Sequence, residues 1–315
     1  MTLDTIDLVV RDKEAVADGV VLLTLGRAEG GGLPAWEPGA HIDLRLGEVT
    51  RQYSLCSSPT ATEHYQVAVL REPASRGGSS YVHDRLAPGD RLVASGPRNH
   101  FALVEAKRYV FIAGGIGITP ILPMVEVAEQ AGAEWTLLYG GRSASTMAFT
   151  QRLTRFGADR VRLHPQDQHG LLDLSELLAA PQPDTAVYCC GPEPLLKAVE
   201  THCASWAAGA LHLERFAPAD GATDGPTTSF DVEFAQSGVT LTIPANRSIV
   251  AVAEDAGVPV VYSCEEGTCG VCETPVLEGE PDHRDSVLTE QERRKKTCMM
   301  ICVSRARTAR LVLDA

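Results

Sequence analysis

Three thiols fall within nine positions, at Cys264, Cys269 and Cys272, and a fourth, Cys302, follows after 29 intervening residues. Thiolates in the order C-x4-C-x2-C…C have the ligand spacing of a plant-type 2Fe–2S cluster. One loop must wrap the inorganic core closely enough to give three sulfurs, while a distant segment closes the far iron. Gly267 and Gly270 suit such a loop, because glycine permits positive φ and close backbone approach. Zinc is the rival occupant. Structural zinc sites pair two short knuckles, and here the second would have to come from Cys298 and Cys302. Cys298 also rivals Cys302 as fourth ligand; the longer interval favours Cys302 and leaves Cys298 as a buried or bystander thiol.

Two more regions carry chemically capable residues. "AGGIGITP" (113–120) follows an apolar strand and precedes a helical pattern. Gly114, Gly115 and Gly117 would let the backbone approach a pyrophosphate at a helix N-terminus, with Thr119 and Pro120 opening the helix. Pro120 replaces the third glycine of the dehydrogenase fingerprint, and no acidic residue stands about 20 positions on to read a ribose. The next strand ends instead at Tyr139-Gly140-Gly141-Arg142, where Arg142 is either a contact for a ribose or 2′-phosphate or a solvated loop charge. A later strand ends at Cys190-Gly191-Pro192, the proline again placed to begin a helix. In "RQYSLCSSP" (51–59), Arg51 offers a fork of donors for a phosphate, and Tyr53 and Ser54 add polar groups. In "SRGGSSYVH" (75–83), Gly77, Gly78, Ser79 and Ser80 read as a small-residue turn able to cradle that phosphate.

These residues need elements to hold them. Residues 1–103 show short alternating apolar runs between Gly and Pro turns, which predicts a small antiparallel β-barrel. From 104 to 216 strands alternate with helical segments, predicting a parallel-sheet α/β domain. Residues 217–228, APADGATDGPTT, read as a linker. Residues 229–315 hold a hairpin, a short helix, the cysteine loops and a final strand. At 315 residues the chain has room for such a multidomain plan. A net charge of −13 argues against a nucleic-acid surface. No secretory signal is visible and Gly and Pro punctuate the longest uncharged run, so the reading is of a cytoplasmic protein off the membrane. Nine cysteines then suggest thiols and metal ligands.

The stretches "CEEGTCGVCETPVLEGEPDHRDSVLT" and "MMICVSRARTARLVLD" resemble the C-terminal ferredoxin domain of the phthalate dioxygenase reductase and vanillate demethylase reductase family, and the resemblance runs through nearly the whole chain in the same domain order. It implies a β-grasp domain at 229–315 with Cys264, Cys269, Cys272 and Cys302 as ligands. It implies a ferredoxin-reductase-type nicotinamide domain at 104–216, with Cys190 beside the nicotinamide ring, together with Gly191 and Pro192. The R-x-Y-S match implies a flavin on the barrel at 1–103, with Arg51, Gln52, Tyr53, Ser54 and Val69 in its site and Ser54 as hydrogen-bond partner of N5. The 77–80 loop of this family holds the phosphate of FMN, and Thr119 and Phe216 approach the isoalloxazine. The implied activity is transfer of electrons from NADH or NADPH, through FMN and a 2Fe–2S cluster, to a separate oxygenase. A nicotinamide gives a pair of electrons and the cluster takes one at a time, so a flavin between them reconciles the two. The preferred acceptor is a Rieske-type aromatic dioxygenase or O-demethylase; the alternatives are a haem-thiolate monooxygenase, or a redox sensor without turnover. Members of the family often work as monomers. Seven acidic residues against one basic between 264 and 285 form either a solvated face or a docking surface for a basic acceptor.

Overall fold

The alternation in the first third of the chain becomes a closed antiparallel sheet. In the computed structural model, which describes residues 5–73 and 77–315, its strands are β1 (Thr5–Ala17), β2 (Val20–Arg27), β3 (His41–Leu46), β4 (Val49–Ser54), β5 (Tyr65–Leu70) and β6 (Arg91–Arg98). Their order is β4-β3-β6-β1-β2-β5, all pairs antiparallel. A bridge from Leu55, just past β4, to Val67 on β5 joins the two ends of that order. In the first half of β1 every second residue points inward, Ile6, Leu8 and Val10, to join Leu23, Leu25, Ile42 and Leu44 in one core. The sequence placed a turn at 77–80; the structure corrects this. Gly77, at φ 96°, is the N-cap of helix α1 (Gly78–Asp84). The seven-residue helix GSSYVHD has too few apolar positions for its period to show in the sequence. Ser75 and Arg76 lie outside the described residues, as do the first four residues of the barrel segment.

The second region is a five-stranded parallel sheet of β7 (Arg108–Gly114), β8 (Glu134–Gly141), β9 (Val161–Pro165), β10 (Thr185–Cys190) and β11 (Leu211–Glu214), in the order β11-β10-β7-β8-β9. Helices α2 (Ile118–Gln130), α3 (Thr150–Thr154), α4 (Gln166–His169) and α5 (Glu193–His202) lie between them in the chain. β10 is buried at all six positions, the burial expected of a parallel strand covered on both faces. β7 is flanked by β8 and β10, so the connections after β7 and β10 diverge at the carboxyl edge, the place where such sheets bind ligands.

Contacts divide the chain after Glu214. Barrel and parallel sheet belong to one unit, and Phe216 groups with the other. That second unit contains β12 (Phe230–Phe234), β13 (Val239–Ile243), α6 (Ile249–Asp255), β14 (Glu273–Glu278), β15 (Pro281–Asp282), α7 (Glu290–Lys295), β16 (Cys298–Met300), β17 (Arg305–Ala306) and β18 (Arg310–Leu313). The mixed sheet β13-β12-β18-β14-β16, with β12 and β18 parallel, packs its core against Ile249, Val250 and Ala253 of α6. This is the β-grasp arrangement. Residues 217–228 are not left loose. Ala219 N–H donates to Ser286 Oγ at 2.8 Å, and Arg284 donates to the carbonyls of Thr223 (3.2 Å) and Pro226 (3.0 Å). Among the described residues no helix is long and apolar enough to cross a membrane.

Candidate functional site

At the carboxyl edge of the parallel sheet two glycine-bearing turns close on each other. A Cβ on Gly117 would lie 2.2 Å from the carbonyl oxygen of Cys190, and one on Gly114 2.7 Å from Cδ of Pro192. A Cβ on Gly191 would lie 3.0 Å from Cα of Gly114. Only glycine allows this approach. The chain thus brings 114–117 and 190–192 into one backbone-lined edge, with Gly115 at φ 56° turning the chain into α2. Thr119 is buried and its hydroxyl donates to the Ile116 carbonyl at 2.9 Å, while Pro120 sits in the first turn. Arg142 is exposed just past β8; its carbonyl accepts the Asp167 N–H at 3.1 Å.

Parallel register supplies a residue that motif reading missed. Cys190 is directly paired with Glu214 on β11, and Cys190 Sγ lies 3.9 Å from Glu214 Oε2. Burial, with the carboxylate next to it, pushes the Cys190 thiol well above its ordinary value. Desolvation pushes Glu214 up to about 8, only partly opposed by the Cys190 hydrogen bond. At neutral pH this edge therefore carries a neutral thiol–carboxylic acid pair. The one sequence sign of it is an acidic residue ending the strand LHLE.

On the barrel, β4 presents Arg51, Gln52, Tyr53 and Ser54 in succession. A Cβ on Gly78 would fall 2.6 Å from Arg51 Cγ, so the arginine stem lies directly over the first residue of α1. Desolvation raises the Tyr53 phenol to about 12, with Arg51 pulling the other way. Gln52 donates to Asp43 Oδ1 at 3.1 Å, and Asp43 pairs with Arg98 at 2.5 Å. Ser54 is buried at the end of the strand. Ser79 Oγ accepts the Glu72 N–H at 3.1 Å and Ser80 donates to the Gly77 carbonyl at 3.3 Å. Val69 is buried on β5, and its carbonyl accepts from His83 Nε2 of α1 at 2.9 Å. Strand, helix and β5 are thereby joined. The arginine fork beside a glycine-opened helix start fits a phosphate group.

In the second unit Cys264 lies against Cys269 and Cys302, and Cys272 against Cys302. These contacts pull Cys264 and Cys272 toward the thiolate and push Cys269 and Cys302 the other way. Glu266 N–H donates to Cys264 Sγ at 3.3 Å. Gly267 is at φ 69° and Gly270 at φ 73°; a Cβ on Gly267 would meet Val303 at 2.6 Å. Four convergent sulfurs with a backbone N–H turned on one of them fit a 2Fe–2S cluster. Cys298 stands apart, raised to about 12 by burial and bonded to Glu273. Phe216, 47% exposed, belongs to this unit.

The acidic run is less negative than its composition. Asp285 is buried and accepts from Val287 and Leu288 N–H, Glu280 pairs with Lys296 at 2.5 Å, and Asp282 pairs with Arg284 at 2.9 Å.

Residues 232–307 match the family model of the 2Fe-2S iron-sulfur cluster binding domain, and 111–201 that of the oxidoreductase NAD-binding domain. The chain is 45% identical to the phenoxybenzoate dioxygenase subunit beta of Ectopseudomonas oleovorans, over 95% of this chain and 93% of that one. It belongs to the phthalate dioxygenase reductase family. The crystal structure of a phthalate dioxygenase reductase, described as a modular structure for electron transfer from pyridine nucleotides to [2Fe-2S], superposes with a TM-score of 0.73 at 37% identity, covering 99% of this chain and 98% of that one. An intact type IV self-sufficient cytochrome P450 monooxygenase superposes with a TM-score of 0.91 at 43% identity, over 99% of this chain but 41% of the longer one. The chain is thus an oxidoreductase with an NAD-binding and a 2Fe–2S domain.

Proposed function

We propose that this chain is the reductase component of a Rieske-type aromatic dioxygenase or O-demethylase system, passing electrons from NADH or NADPH through FMN and a 2Fe–2S cluster to a separate oxygenase. The observation that supports it most is the presence on one chain of three donor sets, each fitted to one carrier. These are the closed glycine edge at 114–117 and 190–192, the Arg51–Gly78 cradle, and the four convergent thiols. When bound, the nicotinamide supplies a hydride, the flavin divides the electron pair, and the cluster passes single electrons.

The residues of the chain bind and orient. Gly114, Gly115 and Gly117 bring backbone N–H groups to the start of α2, where an anionic pyrophosphate is favoured. Arg51, whose stem lies over Gly78, would hold the flavin phosphate. Gln52 on β4 and Val69 on β5 stand at the two ends of the sheet order that the Leu55–Val67 bridge joins, and Ser54 at the end of β4 would offer its hydroxyl to the ring. Cys190 and Glu214 keep the nicotinamide edge free of net charge at neutral pH. Glu214 retains its proton there, and Cys190 directs its S–H toward the Glu214 oxygen. Arg142, exposed past β8, is our candidate for the contact with a ribose or 2′-phosphate. Thr119, in the first turn of α2, completes the proposed flavin contacts. We place the protein in the cytoplasm, supported by nine free cysteines, which a reducing compartment maintains.

A haem-thiolate monooxygenase is the second reading for the acceptor, favoured by the likeness to the self-sufficient P450 chain. Anaerobic titration of the purified protein with NADH and NADPH tests the proposal. Flavin absorbance and then cluster absorbance should bleach with one nucleotide at lower concentration than the other. Bleaching of the flavin without the cluster would refute the electron path. Reoxidation by a Rieske oxygenase component and not by a haem-thiolate enzyme would decide between acceptors.

A further inference from the structure

Glu126 is a carboxylate in the middle of α2, 7% exposed, and it is held by two arginines of another element. Arg152 on α3 donates to it through Nε at 2.9 Å and through a terminal nitrogen at 3.0 Å. Arg155 adds a third bond at 2.8 Å. The remaining nitrogen of Arg152 leaves the parallel-sheet region altogether and donates to the carbonyl of Cys56 at 3.2 Å. Cys56 lies two residues beyond Ser54, and its own N–H and thiol are both tied to the Gln66 carbonyl on β5. Glu126 lies seven residues beyond Thr119, two helical turns away and therefore on the same face of α2.

One guanidinium thus spans from Cys56, two residues past the end of β4 at Ser54, to the helix whose first turn carries Thr119. Other contacts also join the two regions, among them the Tyr188 hydroxyl of β10, which donates to the Ala102 carbonyl at 2.9 Å. A patch of Val20, Cys56, Ala68 and Ala148, with Ile116 and Phe149 against it, makes contact by apolar packing, which does not fix register. One backbone bond, Asp18 N–H to the Ser145 carbonyl at 2.8 Å, lies at the β1–β2 turn. Beside Arg152 the regions part around a cleft of about 400 Å³, lined by Ser58, Glu126, Arg155 and Phe156. The fork geometry of arginine sets both distance and angle to a carboxylate.

We propose that Arg152 is a positioning residue for the hydride step: held by Glu126, it fixes the end of β4 against the start of α2, and so sets how a flavin on the barrel faces a nicotinamide on the parallel sheet. This rests on the proposed function above. Hydride transfer requires reacting atoms held within a few tenths of an ångström, so loosening this brace slows the step without removing any group that touches a cofactor. Arg155 still pairs with Glu126 when Arg152 is lost, which keeps the buried carboxylate compensated and the variant folded.

The test uses the flavin- and cluster-loaded protein and its variants Arg152→Met and Arg152→Lys. In anaerobic stopped flow with NADH, Arg152→Met should reduce its flavin at least roughly tenfold more slowly and lose most of the long-wavelength charge-transfer absorbance of the stacked nicotinamide and flavin. The dissociation constant for NADH should change less than about threefold, and reduction of the cluster by dithionite should be unchanged. Amide exchange at residues 55–58 should rise in Arg152→Met, and Arg152→Lys should restore part of the absorbance band. Wild-type rate and band in Arg152→Met would overturn the proposal. So would a slower rate with an unchanged band and unchanged exchange, or loss of rate in both variants only in proportion to thermal unfolding. A wild-type flavin that NADH leaves oxidised would overturn the functional reading, and this proposal with it.

Discussion

Replacing Glu214 by glutamine tests whether the acid beside Cys190 is neutral in the folded protein. Glu214 is pushed up to about 8 from the ordinary carboxyl value of 4.5. Below pH 4.5 folded and unfolded chains both hold the proton, so the contribution of the raised pKa to stability is fully present. Between 4.5 and 8 the unfolded chain gives the proton up and the folded one keeps it, so stability falls as pH rises, by about 1.4 kcal/mol per unit. The loss is complete once pH passes through the folded value. Integrated from about pH 6 to pH 8, the wild type should lose about 2 kcal/mol that Glu214→Gln does not lose. That is an upper figure, since Glu214 keeps part of its surface open. Trp36, Trp135 and Trp206 all lie before residue 214, so tryptophan fluorescence during urea unfolding reports on the unit containing Glu214. The two proteins should have similar stability at low pH and separate as pH rises, with glutamine the more stable. Parallel stability curves across that interval would mean that Glu214 is ionised at neutral pH, and the neutral pair would be refuted.

Gly117→Ala should destabilise that same unit by about 1–3 kcal/mol, because its Cβ would press on the Cys190 carbonyl at 2.2 Å; a raised KM for NADH at retained flavin content checks it. Arg284→Met removes the donor to Thr223, Pro226 and Asp282 at a position 5% exposed, and should cost the second unit about 3–5 kcal/mol. Limited proteolysis should then cut within residues 217–228, where the wild type resists. Cys302→Ser should lose stoichiometric iron and sulfide, whereas Cys298→Ser should retain both, by metal analysis and visible absorbance.

What was legible in the sequence had a local physical cause. Alternation announced the barrel strands, and continuous apolar runs announced β7, β8 and β10. Glycines at 114 and 117 marked a tight strand-to-helix turn, and the cysteine spacing marked a wrapped cluster. What escaped depends on register or long-range packing. Glu214 reaches Cys190 only through the pairing of β10 with β11. Arg152 stands 96 residues from the carbonyl that it holds. The segment 217–228 has the composition of a free tether, yet Arg284 and Ser286 receive it because their partners there are backbone groups, which any residue carries. The acidic run likewise looked uniform in sequence, although the fold buries Asp285 and gives cationic partners to Glu280 and Asp282.

β10 ends in two adjacent cysteines, and the pleat gives them different neighbours. Cys189 packs with Val110, Leu196 and Val199, whereas Cys190 packs with Phe111, Ile118 and Tyr139. Sulfurs sent to opposite sides of a strand cannot be joined while that strand stays paired, since a disulfide needs its two Cβ atoms about 3.5–4.5 Å apart and pointing toward each other. Oxidants that would cross-link neighbouring thiols in a loop are therefore powerless against this doublet until the middle of the sheet comes apart.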